Sequence, residues 1–315
     1  MRRLHVNNKK KWILAGGISA VVVLIPTIWF VAFYKNAASA VAEMHEPIER
    51  EISVKREAEV VFKKQDPFSV LLLGVDEREG DSGRSDTIVV MTVNPTQQST
   101  KMVSIPRDTY TEIIGRDTKD KINHAYAFGG TTMALASVES LLDIPIDYIA
   151  TINMEGFESI INAVDGISIA NELDFYVDDH VFPKGEIQLD GESALVYVRM
   201  RDEDPRGDFG RQDRQKKVIE GVLRKGASLT GLMNYKSIFN ALGDNVRTNM
   251  TFDEMTDVQK NYRSALGEVE QFHFQNGNGQ RMNGIWYYLM NDAELAEISE
   301  AFKEHLGLEI VTSVD

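Results

Sequence analysis

The stretch Phe68 to Asp108, FSVLLLGVDEREGDSGRSDTIVVMTVNPTQQSTKMVSIPRD, decides the fold. Phe68 to Val75 is apolar at successive positions, which predicts a strand buried on both faces between helical layers. A second run of this kind is Thr87 to Val93 (TIVVMTV). A third, Lys101 to Ile105 (KMVSI), follows a turn rich in Asn94, Pro95 and Thr96. If the three form a meander, the first ends at Asp76, the second starts at Asp86 and the third returns up to Arg107. Asp76, Arg84, Asp86, Arg107 and Asp108 then gather at one rim of the sheet, where ligands of open α/β sheets usually sit. Two carboxylates there suit a hard divalent cation such as Mg²⁺. The competing reading is a solvated charged turn.

Outward from this stretch, helical periodicity recurs at Thr132–Leu142, Glu155–Val164, Gly191–Val198, Arg211–Lys225, Phe252–Leu266 and Asp292–Leu306. Further strands are expected near Tyr148–Asn153, Glu268–Phe274 and Ile285–Leu289. Mixed strands and helices without strict alternation predict an α/β layered domain around one mixed sheet, from Asp66 to Asp315. No Pro/Gly/Ser linker divides it, and no repeat of solenoid length is present.

Toward the amino terminus, Trp12 to Tyr34 carries no charge and at ~1.5 Å per helical residue reaches about 34 Å, enough to cross a hydrocarbon core. Arg2, Arg3, Lys9, Lys10 and Lys11 precede it, and only Lys35 offsets Glu43 and Glu46 after it. The lysine and arginine bias therefore places residues 1–11 in the cytoplasm and the large domain outside. Ala38-Ser39-Ala40 resembles a signal-peptide cleavage site, but the apolar run exceeds the ~7 to 15 residues of an h-region, favouring an uncleaved anchor. Residues 35–65 read as a partly helical stalk.

The chain has no cysteine, which excludes disulfides, thiol catalysis and thiolate metal sites. With a formal charge of −14, a broad nucleic-acid surface is not expected, and clustered arginines become informative. In the helix starting at Arg211, Val218, Ile219 and Val222 form the apolar stripe, and Arg211, Arg214 and Gln215 fall on it at helical spacing. Guanidinium groups on a core-facing stripe need acidic partners or a bound anion. Just upstream, Tyr197-Val198-Arg199-Met200-Arg201 would point both arginines the same way if extended. An internal salt-bridge network with Asp202, Glu203, Asp204 and Asp208 is the alternative to an anion site. Arginine is preferred over lysine where phosphate is gripped bidentately.

These blocks resemble the LytR-CpsA-Psr family. The likeness is carried by DPFSVLLLGVDEREGDSGRSDTIVVMTVNP, MVSIPRDTYTEI, KINHAYAFGG, LDGESALVYVRMR and DPRGDFGRQDRQKKVI, in that order, and weakens beyond Asn245. The resemblance implies a three-layer α/β/α domain behind a single transmembrane helix, with a hydrophobic tunnel for a polyprenyl chain. It implies that Asp76 and Asp86 hold Mg²⁺, or alternatively Mn²⁺. It further implies that Arg84, Arg107, Arg199, Arg201 and Arg211 with Gln215 bind pyrophosphate, with Arg214 a further member. The implied activity is phosphotransfer of wall teichoic acid or a related anionic glycan from undecaprenyl diphosphate to the C6 hydroxyl of N-acetylmuramic acid in peptidoglycan, in a Gram-positive envelope. Arg84 and Arg107 would act on the reacting phosphate, and Asp108 or Asp208 would be the base. Two alternatives remain at this point: a polyprenyl-diphosphate pyrophosphohydrolase, and a lipid-pyrophosphate-binding regulator without chemistry.

Other short patterns are discounted. Arg206-Gly207-Asp208 and the sequon Asn249-Met250-Thr251 lack a fitting context. His124 reads as a structural histidine. No G-x-S-x-G, H-E-x-x-H or P-loop occurs.

Overall fold

The computed structural model describes residues 35, 38–39, 41–48, 50, 52–76, 83–201, 203–228 and 245–309. The expected span Trp12–Tyr34 and the tail 1–11 lie outside the described residues. Among the described residues no helix is long and apolar enough to cross a membrane.

The meander expected from the sequence is present. Strands β1 (Phe68–Val75), β2 (Ser85–Asn94) and β3 (Ser99–Ser104) pair antiparallel, with Leu71 opposite Val90 and Val90 opposite Val103. A hairpin of β4 (Tyr110–Ile113) and β5 (Thr118–Lys121) follows, then helix α1 (His124–Leu142) and β6 (Tyr148–Ile152), which lies parallel to β1. Next come α2 (Met154–Ala163) and four short strands, β7 (Ile167–Asn171), β8 (Phe175–Val177), β9 (His180–Phe182) and β10 (Gly185–Leu189). Helices α3 (Gly191–Arg199) and α4 (Asp208–Ser228) precede β11 (Val246–Thr248), α5 (Phe252–Asn261) and β12 (Val269–Phe272). The hairpin of β13 (Asn278–Met282) and β14 (Ile285–Leu289) and then α6 (Asp292–His305) complete the described elements. The central sheet is mixed, in the order β11-β6-β1-β2-β3-β12.

Alternation along β1 divides the core. Leu71, Leu73 and Val75 face α1 and α6, packing with Val138, Leu142 and Phe302. Val70 and Leu72 face the other way, toward Met91, Met102 and the α4 residues Ile219 and Leu223. Helices on both faces explain why β1 is apolar at consecutive positions. At its end the strand bulges between Gly74 and Val75. A Cβ on Gly74 would stand 2.9 Å from Thr87 Cβ, so only glycine allows β2 so close at this rim.

Several elements differ from the sequence reading. Helix α1 starts at His124 rather than Thr132, but Gly129 and Gly130 are non-helical, and the regular part follows that kink. Tyr197–Arg199 ends a helix instead of forming an extended strand, and only Met200 turns extended (φ −55°, ψ 133°). Helix α5 stops at Asn261, because Tyr262 is drawn into the core and its hydroxyl donates to Asp66 O at 2.7 Å. The described residues from Val41 onward in the segment expected as a stalk pack on the domain. Val41 and Met44 are buried with Val246, and Arg50 pairs with the buried Glu139 at 2.5 Å. Arg56 pairs with Asp147, and Phe62 joins Phe68, Tyr148 and Tyr262 in an aromatic cluster.

Candidate active site

Because β1 and β2 are antiparallel, the end of one lies beside the start of the other. The Asp76 N–H donates to Arg84 O at 3.3 Å, placing Asp76, Arg84 and Asp86 together. The end of β3 delivers Arg107, whose Nη1 lies 3.0 Å from Asp86 Oδ1, with its Nε 3.7 Å from Asp108 Oδ2. Lys121 Nζ holds the other Asp108 oxygen at 2.6 Å. From the opposite layer, the first turn of α4 brings Asp208 and Arg211, paired at 2.7 Å, and Gln212 donates to Asp208 Oδ2 at 3.0 Å.

A cavity of about 310 Å³ opens between these groups. Its lip carries Asp76, Asp86, Arg199, Arg211 and Gln215. Its interior is apolar, walled by Leu72, Phe157, Leu195, Val198 and Ile219. On α4, Arg211, Gln215 and Ile219 follow one another at i, i+4 spacing, so one helix face runs from charge to hydrocarbon. An amphiphile with an anionic head and an apolar tail fits this gradient.

The charges are unevenly satisfied. Burial pushes the Arg211 pKa down, and the charges of Arg107 and Arg201 add to this, against the opposing pull of Asp208 and Asp86. Arg211 Nε is buried without a hydrogen-bond partner among the described residues. Arg107 shifts the other way. Burial would lower it, but Asp86, Asp208 and Asp108 together outweigh that and raise it. The site thus holds one well-compensated guanidinium, Arg107, and one, Arg211, whose pairing with Asp208 does not offset its burial and its cationic neighbours. A bound polyanion would supply the missing charge.

Of the residues singled out in the sequence, Asp76, Asp86, Arg199, Arg211 and Gln215 line the cavity, and Arg107, Asp108 and Asp208 adjoin it through ion pairs. Arg84 is at the rim by its backbone contact, with an exposed side chain, and Arg201 is exposed beside Arg211. Arg214 departs from the expectation. It is 4% exposed, its Nη1 pairs with Asp204 at 2.5 Å, its Nε donates to Tyr197 O at 3.1 Å and its Nη2 donates to Met200 O. It is a buried brace between α4 and the end of α3, and is removed from the pyrophosphate set. Gly210 makes room for this brace, since a Cβ there would collide with the Asp204 carboxylate. The internal salt-bridge reading therefore holds for Arg214. His124 bonds Asp120 at 2.8 Å and is not among the residues that line the cavity. Lys121 and the wall residue Phe157 were not singled out. Lys121 lies in the KINHAY block, but a lone lysine in sequence does not show which carboxylate it holds.

Asp76 and Asp86 fit a hard divalent cation by donor chemistry: two carboxylates at the lip of an anion site, the usual protein share for Mg²⁺. Among the described residues no group of three or more His, Cys, Asp or Glu side chains is arranged for a metal, so water and phosphate oxygens would complete the shell.

Fold and site together define a mixed α/β domain with one cavity whose apolar walls end in a lip of arginines and carboxylates. The LytR_cpsA_psr family model matches residues 31–304, and the chain belongs to this family. It is 48% identical over 300 residues to the polyisoprenyl-teichoic acid–peptidoglycan teichoic acid transferase TagU of Bacillus subtilis strain 168, covering 95% of this chain and 97% of that one. The crystal structure of B. subtilis TagU is similar, with a TM-score of 0.64 at 46% identity over 78% of this chain and 99% of the other. A structure of TagT bound to LIIa-WTA matches with a TM-score of 0.72 at 33% identity, over 84% and 100% of the two chains.

Proposed function

We propose that this protein is a phosphotransferase that moves a wall teichoic acid, or a related anionic glycan, from its polyprenyl-diphosphate carrier to a hydroxyl of peptidoglycan. The observation that carries the reading is the cavity whose hydrocarbon walls end in a lip of Asp76, Asp86, Arg199, Arg211 and Gln215. The names of the similar proteins point the same way: TagU is a teichoic acid transferase to peptidoglycan, and TagT has been solved with LIIa-WTA.

In this reading the lipid lies against Leu72, Phe157, Leu195 and Ile219, and the pyrophosphate meets the arginines. The acceptor hydroxyl oxygen forms a bond to the glycan-side phosphorus, and the bond from that phosphorus to the bridging oxygen breaks. Polyprenyl phosphate leaves with the electron pair. Arg211, Arg199 and Arg107 bind and orient the phosphates, where charge stabilisation dominates phosphoryl transfer. A divalent cation held by Asp76 and Asp86 would supply further neutralisation of phosphate charge. Arg107 orients Asp86 by its 3.0 Å contact. The acceptor proton goes to a carboxylate. Asp108 is held by Lys121 and Arg107, and Asp208 by Arg211 and Gln212, so the base is one of these two carboxylates, each already positioned beside the phosphate arginines. The charge asymmetry around residues 12–34 supports an anchored protein whose domain faces the wall.

The test is transfer of a synthetic polyprenyl-diphosphate glycan onto purified peptidoglycan. Glycan joined to peptidoglycan with release of polyprenyl phosphate is expected, with Mg²⁺ required and Asp86→Ala folded but inactive. Free glycan phosphate released together with polyprenyl phosphate, with no glycan joined to peptidoglycan, would make the protein a hydrolase, and tight binding without turnover would make it a carrier.

A further inference from the structure

A second cavity, of about 320 Å³, lies beside the first turns of α4 and is not used by the donor reading. The α4 residues that line the donor cavity are Arg211, Gln215 and Ile219, whereas this cavity is lined by Phe209, Gln212, Asp213 and Lys216, one step around the same helix. One helix therefore serves as the wall between the two. Arg206, His273 and Gln275 complete the polar lining.

Two features distinguish it from a surface hollow. Phe209 is 37% exposed although it packs on Tyr288 with ring centroids 5.8 Å apart, so a ring held from behind presents itself to solvent. Beneath it lies a fixed polar floor. Lys216 is 1% exposed, with Nζ 3.0 Å from Phe272 O, 2.8 Å from His273 Nδ1 and 3.4 Å from Asp213 Oδ1. Asp213 also contacts His273 at 3.1 Å and Arg206 at 2.7 Å. Burial would raise Asp213, but its hydrogen bond with His273 and the charges of Lys216, His273 and Arg206 hold it at about 2, so it stays ionised. A braced aromatic face above ionised and amide groups is the arrangement that takes a sugar ring, whose C–H face is apolar and whose edge carries hydroxyls and amides.

We propose that this cavity is the acceptor subsite: an N-acetylated amino-sugar of the peptidoglycan strand stacks on Phe209 and bonds Gln275, Asp213 and Arg206 at its edge. The proposal rests on the transfer reading for its occupant. Phe209 adjoins Asp208 in sequence, so a glycan seated here runs across the first turn of α4 toward that carboxylate and the phosphate arginines.

The experiment measures binding of a soluble N-acetylglucosamine–N-acetylmuramic acid tetrasaccharide to the full chain in detergent micelles, alongside polyprenyl-diphosphate binding. Phe209→Leu should weaken tetrasaccharide binding about tenfold, and Phe209→Trp should restore it to within about threefold, since a ring and not mere bulk is required. Gln275→Ala, at an exposed position, should also weaken it. All three should bind the polyprenyl diphosphate as the parent does, which also shows them folded. Failure of the parent to bind the tetrasaccharide overturns the proposal, as do Phe209→Leu binding it normally or losing donor binding in equal measure. If the Phe209 pattern appears but the parent transfers nothing, the subsite stands and the transfer reading falls.

Discussion

Arg211 and Arg214 stand three positions apart on α4 and should respond oppositely to the same substitution. Arg211 sits where burial and neighbouring cations disfavour its charge, and its partner Asp208 keeps 29% side-chain exposure. Arg211→Met should leave the ligand-free domain as stable as before or slightly more so, while weakening polyprenyl-diphosphate binding by ~1.5 to 3 kcal/mol. Arg214 instead holds Asp204, whose side chain is 1% exposed. Arg214→Met takes from that carboxylate its buried partner and leaves it only the half-exposed Arg206, whose Nε is 3.4 Å away, and should lower stability by ~3 kcal/mol. Denaturant melts with and without ligand read both effects. Stability lost at Arg211 with normal lipid binding would remove it from the site. Both arginines lie on one stripe in sequence, so periodicity could not separate the ligand-facing residue from the brace. The Asp204 contact that separates them comes from a loop outside the helix.

At the scale of elements, α6 is fastened to the sheet by one histidine. His305 is fully buried, with Nδ1 2.7 Å from Thr92 Oγ1 on β2 and Nε2 3.0 Å from Ser99 Oγ on β3. Burial, with the nearby Lys101 charge, pushes its pKa down to about 4 from the usual 6.5. The unfolded chain then binds more protons than the folded one between those values, so stability falls as pH drops from about 6.5 toward 4. The loss should be on the order of a few kcal/mol by pH 4. Thermal unfolding at pH 7 and pH 5 should show a drop that His305→Gln largely removes; an equal drop in the variant would place the titrating group elsewhere. The long elements were legible because β1 is apolar throughout and α6 repeats at helical spacing. The strands β4, β5 and β7 to β10 have at most five residues each, too few for a period to emerge.

For the molecule as a whole, the segment before Asp66 belongs to the fold. Arg50 and Ser53 both bond the buried Glu139, and Arg56 bonds Asp147, so a chain begun at Asp66 leaves Glu139 without its cation. That chain should be less stable than one begun at Ala40 by ~3 to 5 kcal/mol, from the stranded carboxylate alone. Equal denaturation midpoints would show that the strap is dispensable. The orientation inferred from the basic amino terminus predicts that protease added to intact protoplasts digests the domain. Protection would reverse the topology.

What the sequence determined by itself is what depends on local pattern: a two-faced apolar strand, the meander that follows from it, and through that meander the convergence of Asp76, Asp86 and Arg107 on one rim. Antiparallel neighbours joined by short connections have few alternative arrangements, so strand order and rim position follow from pattern and turn. Tertiary structure decided what depends on contacts between distant segments: Arg214 turned inward to Asp204, Lys121 set on Asp108, the strap of residues 41–48, 50 and 52–65 laid along the domain, and Phe209 held outward over a second cavity. A side chain's partner is chosen by packing among segments far apart in the chain, and periodicity records which face a residue occupies but not what meets it there.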